Sequence, residues 1–136
     1  MNSKFFVSLE AARLLKEKGF DEKVEYMYDD SILTGIRVLT NSQIDRHYRN
    51  MYGIEFYGAP TKAEAIDWLE SKGIVVELVY DNDELQKDGS EWEYYIYQYD
   101  NDGLLDETVS SWGTGEIYDT RLESEEAAII KALELL

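Results

Sequence analysis

The groups from which this chain could build chemistry are 29 Asp and Glu side chains, 11 tyrosines and one histidine, with no cysteine. Without cysteine there is no disulfide framework, no thiolate zinc site and no cysteine nucleophile. The carboxylates cluster: from Asp81 to Glu107, ten acids (Asp81, Asp83, Glu84, Asp88, Glu91, Glu93, Asp100, Asp102, Asp106, Glu107) face Lys87 alone. Such a run invites calcium, and loop register tests it. With Gly103 as the sixth loop position, the first is Gln98 and the twelfth Val109; with Gly89 as the sixth, the twelfth is Tyr95. Neither register supplies the carboxylates the ion needs. Asp100-Asn101-Asp102-Gly103 reads instead as a hairpin turn, which needs no metal.

His47 lacks the further imidazoles on which a histidine zinc site draws. Its neighbours Arg46, Tyr48 and Arg49 fit a small basic contact point or an ordinary exposed turn. Ser110, Ser111 and Thr114, near Gly113 and Gly115, do not form the Gly-x-Ser-x-Gly elbow. Gly113-Thr114-Gly115 lacks the third glycine and following helix of a dinucleotide loop, and no Walker lysine motif occurs. Acids are numerous enough for a glycosidase pair, yet none is singled out by the apolar setting that would raise its pKa. The sequence therefore predicts no catalytic, metal-ligating or cofactor-binding residue, and a protein that is not an enzyme.

Positioning these groups falls to three helices and several strands. Residues 8–20 and 62–74 align at a fixed offset: Glu10 with Glu64, Ala11 with Ala65, Leu15 with Leu69, Lys18-Gly19 with Lys72-Gly73. This is one helix design used twice, too few copies for a solenoid. Ser8 is placed to cap the first helix, and Thr61 with Glu64 forms the capping-box pattern for the second. Gly19 and Gly73 stand at the left-handed closing position, followed by apolar Phe20 and Ile74. Thr120 and Glu123 open a third helix, with Leu122, Ile129, Leu133 and Leu136 at helical spacing and Ala127, Ile130 and Leu135 widening the stripe.

Val24 to Tyr28 and Ile32 to Leu39 read as strands about an Asp29-Asp30-Ser31 turn. Asn41 to Met51 fits a short helix or a loop equally well. Ile54 to Tyr57 suits an edge strand, Ile74 to Tyr80 a central strand, and Asp81 to Ser90 a polar loop. Trp92 to Tyr99 is the longest strand, and Leu104 to Trp112 returns antiparallel. At this length one domain is expected, spanning 1–136: an α+β fold with three helices packed on a mainly antiparallel sheet.

Along the longest strand Trp92, Tyr94 and Ile96 alternate with Tyr95, Tyr97 and Tyr99. If the helices cover one face, the other presents a row of phenols, whose large, fairly rigid area with a polar tip suits an interface. Cross-strand aromatic pairs also stabilise sheets without any partner. The phenol face is thus open to three states: bare, covered by a helix, or covered by another copy in a homodimer.

The net charge of −16 is lopsided. Residues 1–57 carry 8 basic and 9 acidic side chains, a balance of −1, whereas residues 58–136 carry 5 and 20, a balance of −15. Direct nucleic-acid binding and anionic membrane surfaces are disfavoured, since both need clustered Lys and Arg. The acids serve solubility, steer a basic partner, or stand in for phosphates as a DNA mimic. No apolar run approaches the length of a membrane span, and the N-terminus lacks a basic-then-apolar signal, so a soluble cytoplasmic protein is expected.

Four landmarks, VSLEAARLLKEKGFDE (7–22), APTKAEAIDWLESKGI (59–74), WEYYIYQY (92–99) and YDTRLESEEAAIIKALELL (118–136), together carry a resemblance. The chain resembles a family of small uncharacterised proteins of gut anaerobic bacteria, often carried on prophages and other mobile elements. The landmarks are helix starts and stops, so the resemblance speaks to fold. It implies a phage or mobile-element context and carries no activity, cofactor or catalytic residue. The resulting expectation is a non-enzymatic accessory protein that binds another protein. Tyr95, Tyr97 and Tyr99 would supply area, and Glu91, Glu93 and Asp100 would steer. The alternative is an acidic DNA mimic inhibiting a nucleic-acid-binding enzyme; a carbohydrate hydrolase comes third.

Overall fold

Side-chain oxygens begin the α-helices. In the computed structural model, which describes residues 3–49, 53–81, 91–111 and 116–136, Ser8 accepts the Ala11 amide at 3.1 Å and opens α1 (Leu9–Glu17). Thr40 and Gln43 form a reciprocal capping box ahead of α2 (Asn41–Ile44). The chain then winds on through a π-helical turn at Asp45–Arg49. The ambiguous stretch after Leu39 is therefore helical over its described part. Before α3 (Lys62–Ser71) the box closes in both directions: Glu64 N–H donates to Thr61 Oγ1 at 3.1 Å, and Thr61 N–H to Glu64 Oε1 at 3.0 Å. Thr120 accepts the Glu123 amide at 3.1 Å at the start of α4 (Arg121–Glu134). None of these helices is long and apolar enough to cross a membrane.

Gly19 closes α1 as expected, with φ 93°. The Phe20 amide donates back to Leu15 O at 2.8 Å and the Gly19 amide to Lys16 O at 3.1 Å, the paired bonds of a Schellman end. Gly73 at φ 84° donates to Glu70 O at 3.0 Å.

The strands assemble into two antiparallel three-stranded sheets where the sequence predicts one. The chain divides into two compact units, Met1–Ala65 with Leu136, and Ile66–Leu135. The first contains β1 (Val24–Asp29), β2 (Ile32–Leu39) and β3 (Phe56–Gly58) in the order β2-β1-β3. Asp30 turns the β1–β2 hairpin at φ 58°, a left-handed value that Asp tolerates better than most residues. Ala11, Ala12 and Leu15 of α1 pack with Val7, Phe20, Val24, Met27, Ile44 and Phe56 as its buried core. The buried Asn41 clips two segments together: Nδ2 donates to Phe20 O at 2.7 Å, and Oδ1 accepts the Gly58 amide at 2.8 Å. A Cβ at Gly58 would lie 2.9 Å from that Oδ1, so only glycine allows the approach.

The second unit contains β4 (Ile74–Asp81), β5 (Glu91–Tyr99) and β6 (Leu105–Ser110) in the order β4-β5-β6. The expected central position of Ile74 to Tyr80 is thereby corrected: β4 is an edge, and the centre is β5, the longest strand, as read. Asp100 closes the β5–β6 turn, its Oδ1 accepting the Asp102 and Leu104 amides, each at 2.9 Å, with Gly103 at φ 77°. The buried stripe of α4 runs through Ala128, Ile129, Ala132 and Leu133, rotated slightly from the Ala127 and Ile130 of the sequence reading. The polar loop expected beyond Asp81, and Trp112 to Gly115, lie outside the described residues.

Gly73 tests this account of helix ending. A Cβ there would meet Tyr99 O at 3.0 Å, whereas at Gly19 it would meet nothing within 4 Å. Gly19→Ala is expected to cost about 1–2 kcal/mol for the left-handed backbone alone, and Gly73→Ala more, by denaturant unfolding. Equal costs would contradict the close approach.

Candidate functional site

Period-two geometry sends successive β5 side chains to opposite faces. Tyr94 and Ile96 point to the side that α4 covers and are buried, at 3% and 0% exposure. Tyr95, Tyr97 and Tyr99 take the other side: Tyr95 and Tyr97 are half-buried and Tyr99 exposed. The rings of Tyr95 and Tyr97 stack along the strand, centroids 6.4 Å apart and planes 14° from parallel. Register places Val75 across from Tyr97 and Glu77 across from Tyr95 on β4, with Thr108 and Ser110 in the matching places on β6. Glu77 and Thr108 are exposed. The site is a strip of phenols bordered by one carboxylate and two hydroxyls, on the sheet face away from α4.

The electrostatics follow from that packing. The Tyr97 phenol is pushed above its ordinary value by desolvation first, then by the Glu77 carboxylate and the adjoining phenols. It is therefore a neutral hydrogen-bond donor across the neutral pH range, and its ring adds apolar area with no charge to desolvate.

The acidic residues expected to flank the phenols divide. Glu93 is 5% exposed and cannot serve as a surface charge; Glu91 is half-buried. Asp100 is exposed, but its Oδ1 holds the turn. The carboxylate that register does place beside the phenols is Glu77, hidden in sequence inside an apolar run. Its signal was its opposite parity to Val76 and Leu78.

Other sequence candidates take structural places. Ser111 is fully buried and accepts the Tyr94 amide at 2.9 Å. Arg46 and His47 lie exposed on the π-helical turn, while Tyr48 packs on Phe56 at 5.6 Å between centroids. Among the described residues no three His, Asp or Glu side chains gather as a metal site would require.

The first unit holds a cleft of about 480 Å³ lined by Arg13, Lys16, Glu17, Glu55 and Tyr57. Its charges are already matched. Lys16 Nζ donates to Asp45 Oδ1 at 2.6 Å and Phe56 O at 2.8 Å, lies 3.6 Å from Glu55, and sits 5.1 Å from the Tyr57 ring centre. Tyr57 OH donates to Glu55 Oε2 at 2.9 Å. These are the paired charges of a structural network, opposite in character to the apolar-set carboxyl that a hydrolase uses as its acid.

Comparison with known proteins finds no matching family model, no matching curated protein and no matching solved structure.

A further phenol makes the unit's stability depend on pH. Tyr118 stacks on Tyr94 at 6.2 Å and donates to Glu116 Oε2 at 2.6 Å. Burial, then that bond and the Glu116 charge, then Tyr94, hold its pKa far above the ordinary value. An unfolded phenol ionises at about 10. The favourable term is complete below that pH and is lost as pH rises toward the folded value. Stability is expected to fall progressively as pH rises above about 10, and Tyr118→Phe to flatten the fall. A pH-independent difference between the two proteins would contradict this.

Proposed function

We propose that this chain is a non-enzymatic protein-binding module that uses the open face of the second sheet, centred on Tyr95 and Tyr97, against a basic partner. The observation that carries the reading is the near-parallel stack of these two half-buried rings on the face opposite α4. Tyrosines in such a setting remove much area from water while freezing few torsions, which is why they dominate interface energetics. The −15 balance of residues 58–136 adds long-range attraction for a positively charged surface, accelerating encounter more than it tightens the final contact. Glu77 supplies a charge at the contact itself.

The same reading gives the module a cytoplasmic setting and no direct contact with nucleic acid or membrane. Its phage or mobile-element character rests on the sequence resemblance alone. A DNA mimic would carry its contacts on carboxylates, and the open face instead offers phenols with Glu77 beside them. That favours protein binding through area over phosphate imitation.

The test is co-purification of a partner on immobilised wild-type protein, on Tyr95→Ala/Tyr97→Ala, and on Ile32→Ala, an exposed apolar position of β2 in the first unit. The double variant is expected to weaken recovery about 30-fold or more, the loss of a hot spot, and Ile32→Ala to leave it intact. Recovery equal to wild type from the double variant would overturn the reading. Displacement of the partner by duplex DNA, with a steep salt dependence, would favour mimicry instead.

A further inference from the structure

The strand beside the phenols has an unused side. The eight residues of β4 pair with β5 in unbroken register, Ile74 with Gln98 through Asp81 with Glu91. Among the described residues no strand pairs with its other edge. Backbone geometry tells which groups face that edge. Tyr99 N–H donates to Gly73 O at 2.8 Å, which sets 73/99 at a hydrogen-bonding position of the ladder, with the Gly73 amide itself turned back to Glu70 O. Alternation along an antiparallel ladder then turns Val75, Glu77 and Val79 toward β5 and turns the N–H and C=O of Ile74, Val76, Leu78 and Tyr80 outward. On the far side of β5, Ser111 N–H donates to Tyr94 O at 3.0 Å and Trp92 bonds Tyr118 in both directions, in agreement with this parity. No backbone bond from Ile74, Val76, Leu78 or Tyr80 to a residue beyond the sheet occurs among the described residues.

Proteins blunt exposed edges with bulges, prolines, lysines or short strands. The other long edges here are blunted: β2 is broken by a register shift opposite Val24 to Tyr26, and β6 is shorter and carries Asp106 and Glu107 beside another shift at Gln98/Tyr99. By contrast β4 has no bulge, proline or lysine, and its sequence is IVVELVYD. Tyr80 is 47% exposed, and Val75, Val76, Leu78 and Val79 are each half-buried.

We propose that β4 is a strand-addition site, at which an extended segment of the basic partner pairs as a fourth strand. This rests on the proposed protein-binding role and specifies its mode. Main-chain bonds to the outward groups of Ile74, Val76, Leu78 and Tyr80 would hold the segment. Every second side chain of the added strand would stand beside Val75, Glu77 and Val79, on the face that carries Tyr95 and Tyr97. Charge selects the occupant. A second copy would bring two chain halves of balance −15 together and set Glu77 near its counterpart, whereas a Lys- or Arg-bearing segment would pair with Glu77.

The test is residue-resolved amide hydrogen exchange on the full chain, with two synthetic peptides as long as β4, one alternating Lys and Val, the other Glu and Val. In the free protein the Val76, Leu78 and Tyr80 amides are expected to exchange about tenfold or more faster than those of Val75, Glu77 and Val79. Saturating Lys-Val peptide should slow the outward set by a similar factor, Glu-Val peptide should not, and Glu77→Lys should reverse that preference. Slow exchange of Val76 and Leu78 in the free chain, protection that grows with protein concentration alone, or indifference to Lys-Val peptide would each overturn strand addition. Failure here with a Tyr95/Tyr97-dependent partner retained would leave the phenol-face reading standing. Protection of β4 with no dependence on the phenols would instead remove that reading and keep the edge.

Discussion

One helix can cover only one face of a sheet, and β5 alternates too regularly to hide its second face within itself. This constraint orders the second unit. Tyr94 and Ile96 are buried, as are Ala128, Ile129, Ala132 and Leu133 of α4, the helix that packs on β4 and β5. Tyr95, Tyr97 and Tyr99 are thereby sent to the other side. A one-residue slip in pairing would exchange the two sets, burying three phenols against the helix and exposing Ile96, so register is strongly held. Ser111 reinforces it from the edge by accepting the Tyr94 amide, and Asp100 does so from the turn. The open face is a consequence of how this sheet buries its other one.

The first unit solves a different problem. Its core includes three small or slender helix positions, Ala11, Ala12 and Leu15, which let α1 approach closely, while polar groups fix the loops. Asn41 is fully used, donating to Phe20 O and accepting from Gly58 N. Lys16 is surrounded by Asp45, Glu55, a carbonyl and an aromatic ring. A buried amide and a partly shielded cation, each satisfied, specify geometry that apolar contacts alone would leave loose.

Helix boundaries were legible because they are local chemistry: Ser8, Thr61 and Thr120 cap as read, and Gly19 and Gly73 close. The Thr40–Gln43 capping box was present in the sequence too, obscured by the π-helical turn that follows it. What was not legible was the number of sheets. Strand period reports which side chains share a face, and it is silent on which edges meet. The choice of β3 to pair with β1, and the edge position of β4, are therefore tertiary facts. At the candidate site Tyr95, Tyr97 and Tyr99 followed from alternation. Glu93 shares their parity and yet is buried, and Asp100 already had a turn to hold. Glu77 escaped notice because an isolated acid in an apolar strand gains its meaning only from the register opposite Tyr95.

The central claim is that Tyr94 and Ile96 of β5 are buried on the face toward α4, while Tyr95 and Tyr97 on the other face stay within reach of solvent. Hydroxyl-radical footprinting read by mass spectrometry addresses it directly, since ring oxidation tracks solvent access residue by residue. The account predicts ready oxidation of Tyr95 and Tyr97 in the isolated protein, with Tyr94 strongly protected. Comparable protection of all three, or oxidation of Tyr94 alone, would contradict it.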